Sequence, residues 1–243
     1  MTNIYDSWIT KMPIAHRGLH DDVSPENSLS AYKKAIEKGY AIEIDVHPLK
    51  DGNVIVFHDN TLDRMTNLTG NIEEKTLEDL KDVKLKGSNE KIPTFIEVLE
   101  LVNGKVPLLI EIKNEGGVGF EKDVWDILKN YKGEYAVQSF NPFSLKWFKD
   151  NAPNVLRGQL ACYFNGEELS SVKKFILKRM WLNSMISKPH FISYNHQDCP
   201  NKYVDKYKNK KPILVWCVRN KKDEKRTQNY GDNIIFEDYL PER

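Results

Sequence analysis

Residues 41–59 read AIEIDVHPLKDGNVIVFHD, and the alternation within that run decides the fold. Successive side chains of a β-strand point to opposite faces. Ile42, Ile44 and Val46 therefore share one face, and Glu43, Asp45 and His47 share the other. A strand in an ordinary core places Val, Ile and Leu inward, so two acids in such a strand need a reason. Too few residues separate Val46 from Val54 for a parallel crossover, which takes about a dozen. The run must turn back as an antiparallel hairpin, and Asp51-Gly52 is a strong two-residue turn signal. That turn sets Leu49 opposite Val54 and predicts Asp45 opposite His58. Pro48 confines the hairpin to a sheet edge.

Outward from the hairpin, strands are predicted in PIAHRG (13–18), VPLLIEIK (106–113), YAVQSF (135–140), LRGQLACY (156–163), FISYN (191–195), PILVWCV (212–218) and NIIFED (233–238). Helical patterns fill most of the gaps. PENSLSAYKKAIEKG (25–39) has Leu29, Tyr32 and Ile36 on one stripe and Gly39 as its stop, and GFEKDVWDILKNY and NPFSLKWFKDN follow later. Strands alternating with helices imply a parallel sheet, and eight βα units in 243 residues suit an α/β fold of the (β/α)₈ TIM-barrel type. No repeat or linker splits the chain, so residues 1–243 are expected to form one barrel domain.

The totals narrow the function. The chain is 40% apolar and 29% charged, enough for a large core, and its formal charge is +1. That balance argues against a general binder of nucleic acid or anionic membrane. MTNIYDSWITKMP has no basic segment followed by an apolar one, and no apolar run reaches the roughly 18 residues of a membrane span. No amphipathic membrane segment stands out. Cys162, Cys199 and Cys217 lie far apart and read as free thiols of a cytoplasmic protein.

The chemistry follows from the charged strand positions. Glu111 and Lys113 share a face of their strand, as Glu43 and Asp45 do of theirs, and the C-terminal ends of barrel strands form the catalytic mouth. Glu43, Asp45 and Glu111 would meet there and repel one another. A bound divalent cation resolves the repulsion, and all-oxygen ligands favour Mg²⁺ or Ca²⁺ over zinc; pairing with rim lysines and arginines is the plainer alternative. His16-Arg17-Gly18 ends the first strand. Two histidines (His16, His58), a metal site and two cations (Arg17, Lys113) are what phosphodiester cleavage needs. The metal and cations stabilise charge on phosphorus, while one histidine accepts a proton and the other donates one.

IAHRGLHDDVSPENSLSAYKKAIEKG, IEIDV, KDGNVIVFHDNTLDRMTNLTG, KIPTFIEVLELV and LLIEIK, in that order, closely resemble the glycerophosphodiester phosphodiesterase family. The resemblance covers about residues 12–145 and resumes at 213–218. It implies a (β/α)₈ barrel with a small insertion after the second strand, here about 47–91 with the hairpin and TLEDLKDVKL. It also implies that His16 and His58 are the acid–base pair, that Glu43, Asp45 and Glu111 hold the metal, and that Arg17 and Lys113 touch phosphate. The expected substrate is a small glycerophosphodiester, with no nucleic-acid partner and no stable membrane insertion. Residues 146–210 match only loosely. After IIFEDYLPER no further helix follows, so either the eighth helix is absent or Tyr5, Trp8 and Ile9 cover that end.

Several residues are weighed less heavily. His47 is expected at a solvated rim, His20 near substrate or merely in a loop, and His190 and His196 in loops. Phe140 and Trp216 could wall a pocket or pack the core, and Gln138 could make a polar contact at the mouth. KKDEKR (221–226) reads as a solvated helix face. Two other activities share the barrel: a phospholipase D-like hydrolase of lysophospholipids or sphingolipids, which needs an apolar surface around the mouth, and a silent phosphodiester-binding barrel.

Overall fold

The computed structural model describes residues 3–114, 119–166 and 168–241. Strands are β1 (Ile14–Ala15), β2 (Ala41–Pro48), β3 (Val54–Val56), β4 (Leu108–Ile112), β5 (Tyr135–Ser139), β6 (Leu156–Ala161), β7 (Phe191–Asn195), β8 (Ile213–Val218) and β9 (Asn233–Phe236). Helices are α1 (Trp8–Lys11), α2 (Leu29–Lys38), α3 (Leu77–Leu80), α4 (Phe95–Val102), α5 (Phe120–Leu128), α6 (Pro142–Asn151), α7 (Ser171–Lys178), α8 (Lys202–Asp205) and α9 (Lys221–Thr227). Every predicted strand is present. The chain divides into two compact units, Ala15–Tyr135, and Met1–Ile14 with Ala136–Arg243.

In the first unit β2 runs parallel to β4, with Asp45 beside Glu111, and antiparallel to β3. The β2–β3 register differs from the expected one by a residue: Val46 faces Val56 and Pro48 faces Val54. The loop explains the shift. Leu49 N–H donates to Asn53 O at 2.8 Å and Gly52 N–H to Leu49 O at 3.0 Å, with Gly52 at φ 82°. Lys50, Asp51 and Gly52 thus make a three-residue loop whose last residue is left-handed, a longer alternative to the two-residue turn. Asp45 O consequently accepts from Phe57 N–H at 3.0 Å, and His58 lies beyond β3, in the loop that follows it.

Residues 47–91 carry their own apolar cluster, with Leu49, Ile55, Phe57, Leu62, Ile72, Leu80 and Leu85 buried together with Ile92. Burying each such side chain contributes about 1.5–3 kcal/mol. Helix α2 starts on the Ser28 side chain, which accepts from Ala31 N–H, and ends at left-handed Gly39. It buries Ala31, Tyr32 and Ala35, so the inward stripe is one of small residues around Tyr32, with Leu29 and Ile36 at its half-buried margins.

In the second unit β5 to β9 run parallel in chain order, from Gln138 beside Gly158 on β5 and β6 to Val215 beside Ile234 on β8 and β9. Gly158 is required by close approach, since a Cβ there would lie 2.0 Å from the Phe191 ring. Asn233 Nδ2 donates to Ile9 O at 2.9 Å and to Met12 O at 2.7 Å, and Ile9 is fully buried. The N-terminal segment therefore packs on β9, as expected of Trp8 and Ile9, both of which are buried. Among the described residues, no helix is long and apolar enough to cross a membrane.

Candidate active site

The site is built within residues 15–135. Glu43 and Asp45 lie on one face of β2, and the parallel register brings Glu111 of β4 alongside. One ligand oxygen from each lies within 4.8 Å of the others, and all three residues are buried. Burial first, then Asp45 and Glu111, push the Glu43 carboxyl well above its ordinary range. Burial opposes ionisation of Asp45 as well, but Lys113, His58, Arg17 and His16 outweigh it and hold that carboxyl well below the usual range. Both histidines therefore stand close enough to Asp45 to act on it electrostatically.

Cations already lean on the cluster. Lys113 Nζ lies 2.8 Å from Glu111 Oε1 and 3.1 Å from Asp45 Oδ1, and these acids outweigh burial to keep its ammonium charged. Lys113 is thus placed on the carboxylates themselves. Arg17 is left-handed at φ 54°; its N–H donates to Glu43 Oε2 at 3.2 Å, and its Nε lies 3.5 Å from Asp45 Oδ2. Asn27 Nδ2 donates to Asp45 Oδ2 at 2.9 Å, and Tyr32 OH donates to Asn27 Oδ1 at 2.8 Å. Lysine and arginine pairing, the plainer expectation, is present. Burial and the neighbouring acids still drive the Glu43 carboxyl towards neutrality. Three buried oxygen donors fit a hard divalent cation.

The second half of the site is a chain of ion pairs. His58 Nδ1 lies 2.7 Å from Asp59 Oδ1, a contact that fixes the orientation of the ring. Arg64 grips Asp59 through Nε at 2.6 Å and Nη2 at 3.0 Å. The same guanidinium donates to Glu26 at 2.8 and 2.7 Å, and Glu26 accepts from Arg17 Nη1 at 2.8 Å. One arginine thus ties His58 to Arg17 through two carboxylates. Asp59, Glu26 and Arg64 carried no role in the sequence reading, although HD and PEN stand in the motifs that suggested the family. Local spacing does not reveal a contact across 38 residues.

His47 corrects an expectation. It is 1% exposed rather than solvated, its Nε2 lies 3.2 Å from His58 O, and burial lowers its pKa to about 4. It braces the backbone that carries His58. In the other unit, Gln138 is buried in β5, and Phe140 packs edge-on against Trp216 and Phe164 with centroids 5.8 and 5.7 Å apart. Phe164 is a further aromatic of this group with no signal in the sequence. His190 accepts from Arg157 N–H at 3.1 Å, and His196 Nδ1 lies 2.9 Å from Arg226 Nη2, so both brace structure. Cys162, Cys199 and Cys217 are free thiols, and burial pushes that of Cys199 up to about 12.

Three buried carboxylates, two histidines that act on Asp45, and the cations Arg17 and Lys113 are thus gathered around β2 and β4. The sequence profile of the Glycerophosphoryl diester phosphodiesterase family matches residues 16–241, and the chain belongs to that family. A glycerophosphodiester phosphodiesterase of Caldanaerobacter subterraneus subsp. tengcongensis is 39% identical over 160 residues, 60% of this chain and 65% of that protein. A glycerophosphodiester phosphodiesterase of Bacillus subtilis is 28% identical across 94% of this chain and 83% of its own length. A phosphodiesterase from Oleispira antarctica, solved with the product sn-glycerol-3-phosphate, superposes with a TM-score of 0.78 at 25% identity over 94% of both chains. The fold is the (β/α)₈ barrel expected from the sequence.

Proposed function

We propose that the chain hydrolyses glycerophosphodiesters to sn-glycerol 3-phosphate and an alcohol, with a divalent cation, Mg²⁺ or Ca²⁺, held by Glu43, Asp45 and Glu111. The observation that carries this reading is the buried carboxylate cluster with oxygens within 4.8 Å, standing beside two histidines that both act on Asp45. A hard cation bound there supplies charge stabilisation to the phosphoryl oxygens. Arg17 and Lys113, held at the rim of the cluster by its acids, orient phosphate as the substrate arrives. His58, fixed by Asp59 on Nδ1, moves a proton at Nε2, and His16 is its partner in acid–base exchange. Gln138 is assigned a polar contact with substrate, and the aromatic rings of Phe140 and Trp216 are assigned to the glycerol moiety. The product named for the Oleispira antarctica protein supports the substrate class, and three free thiols suit a cytoplasmic setting.

The test is release of glycerol 3-phosphate from glycerophosphocholine by metal-free protein, with Mg²⁺ or Ca²⁺ added back. Turnover should vanish with chelator and return with a hard divalent ion. Full activity in metal-free protein would sink the metal assignment. Cleavage of lysophosphatidylcholine alone would instead favour the phospholipase D-like alternative.

A further inference from the structure

We propose that α7 and the turn after it form a docking surface for an anionic lipid bilayer. Helix α7 buries none of its residues, yet the segment is firmly attached. Met180 is 3% exposed and joins the apolar cluster with Tyr194 and Ile192, and Tyr194 OH donates to Lys178 O at 3.2 Å. Anchored on that side, the segment turns large apolar side chains outward: Val172 is 69% exposed, Trp181 59% and Met185 78%. Phe175 completes the group, with its ring centroid 5.4 Å from that of Trp181 in an edge-on contact. The Arg179 guanidinium lies over the Phe175 ring at 3.4 Å, holding a cation within the apolar patch.

The charge around these residues selects the occupant. Between Glu168 and Asp198 the sequence holds five cations (Lys173, Lys174, Lys178, Arg179 and Lys188) and no acid. A chain with almost no net charge thus concentrates positive charge beside a group of exposed large apolar side chains. A second copy related by a two-fold axis would set these cations against themselves. Nucleic acid would use the cations but has no apolar layer for Val172 and Met185. An anionic bilayer satisfies both halves, because aromatic and aliphatic side chains enter the headgroup–acyl boundary while lysines meet lipid phosphates. The pattern is hidden in sequence because the outward residues come from two local structures, the helix and the turn, and share no single period.

Flotation with vesicles tests the proposal, comparing phosphatidylcholine alone with phosphatidylcholine and phosphatidylglycerol in equal parts. The full chain should bind the anionic vesicles at least about tenfold better, and salt should release it. A Trp181→Ser, Met185→Ser variant and a Lys173→Glu, Lys174→Glu variant should each lose about tenfold in binding. Both should keep wild-type melting temperature and hydrolysis of a water-soluble glycerophosphodiester. Equal partitioning to both vesicles, or binding that survives both variants, would overturn it. So would a lipid-free dimer that either variant abolishes, since the patch would then be a contact between copies. Flotation needs no turnover, so its result stands apart from the fate of the hydrolytic reading.

Discussion

Arg64 shows how a half-exposed residue can govern a site it does not line. Its four hydrogen bonds to the mostly buried carboxylates of Asp59 and Glu26 form a network, so removing its guanidinium should cost about 1–2 kcal/mol in unfolding free energy. Its geometric effect is larger, because Asp59 fixes the ring of His58 and Glu26 fixes Arg17. Arg64→Gln should lower kcat on the order of 10²-fold through misplacement of these groups, with KM changed less. Arg64→Lys should not restore the rate, since an ammonium cannot fork two carboxylates. Steady-state kinetics beside a melting curve separates the two effects. Wild-type kcat in Arg64→Gln would show that His58 and Arg17 keep their places unaided. Glu43 makes a complementary case. Burial and its two acidic neighbours already disfavour its charge, so Glu43→Gln should leave the metal-free protein at least as stable while weakening divalent binding. Titration calorimetry and melting of the same metal-free sample check both halves, and undiminished affinity would remove Glu43 from the ligand set.

At the scale of elements, the hairpin shows what a sequence yields and withholds. Alternation in β2 put Glu43, Asp45 and His47 on one face, which is a local property of extended backbone. The chain reversal was equally legible, because no crossover fits into so few residues. The register was not, since Asp-Gly serves a two-residue turn and the tail of a three-residue loop equally well. His47 was misjudged for a related reason: residues from later in the chain bury it, and no local pattern reports that cover. Two glycines make the element's demands testable. Gly52 has φ 82° with nothing within 4 Å of an added Cβ, so Gly52→Ala should cost about 1–2 kcal/mol from backbone strain alone and leave kcat intact. Gly18 has φ 83°, and a Cβ there would lie 2.9 Å from Tyr32 and 3.0 Å from Ala31. Gly18→Ala should therefore lose more stability than Gly52→Ala and lower kcat as well, because Arg17 moves with it. Equal melting points for the two variants would refute this ranking.

At the scale of the whole molecule, the strands and the acids that cluster on β2 and β4 were legible because each is encoded within a few residues. The Arg64 network was not, because it joins residues that meet only after folding, and the apolar surface of α7 and the turn after it was not, because its outward residues share no single period. The same limit applied to His190, which read as a loop residue and is fixed by its surroundings. Its Nδ1 accepts the Arg157 N–H at 3.1 Å, which requires an unprotonated nitrogen. Burial first, then Arg157 and Lys211, lower its pKa from 6.5 to about 4. Above pH 6.5 both folded and unfolded chains carry it neutral, and its contribution is fully present. As pH falls from about 6.5 towards 4, the unfolded chain takes up the proton first, so stability drops across that window and this loss levels off below it. His190→Gln should be less stable than wild type at pH 7 and should approach it at pH 4.5. Urea unfolding of both proteins across this range measures the difference. His47 titrates in the same direction in both chains and cancels from the comparison. A gap between the two proteins that is constant with pH would mean that His190 does not bind its proton more weakly in the folded chain.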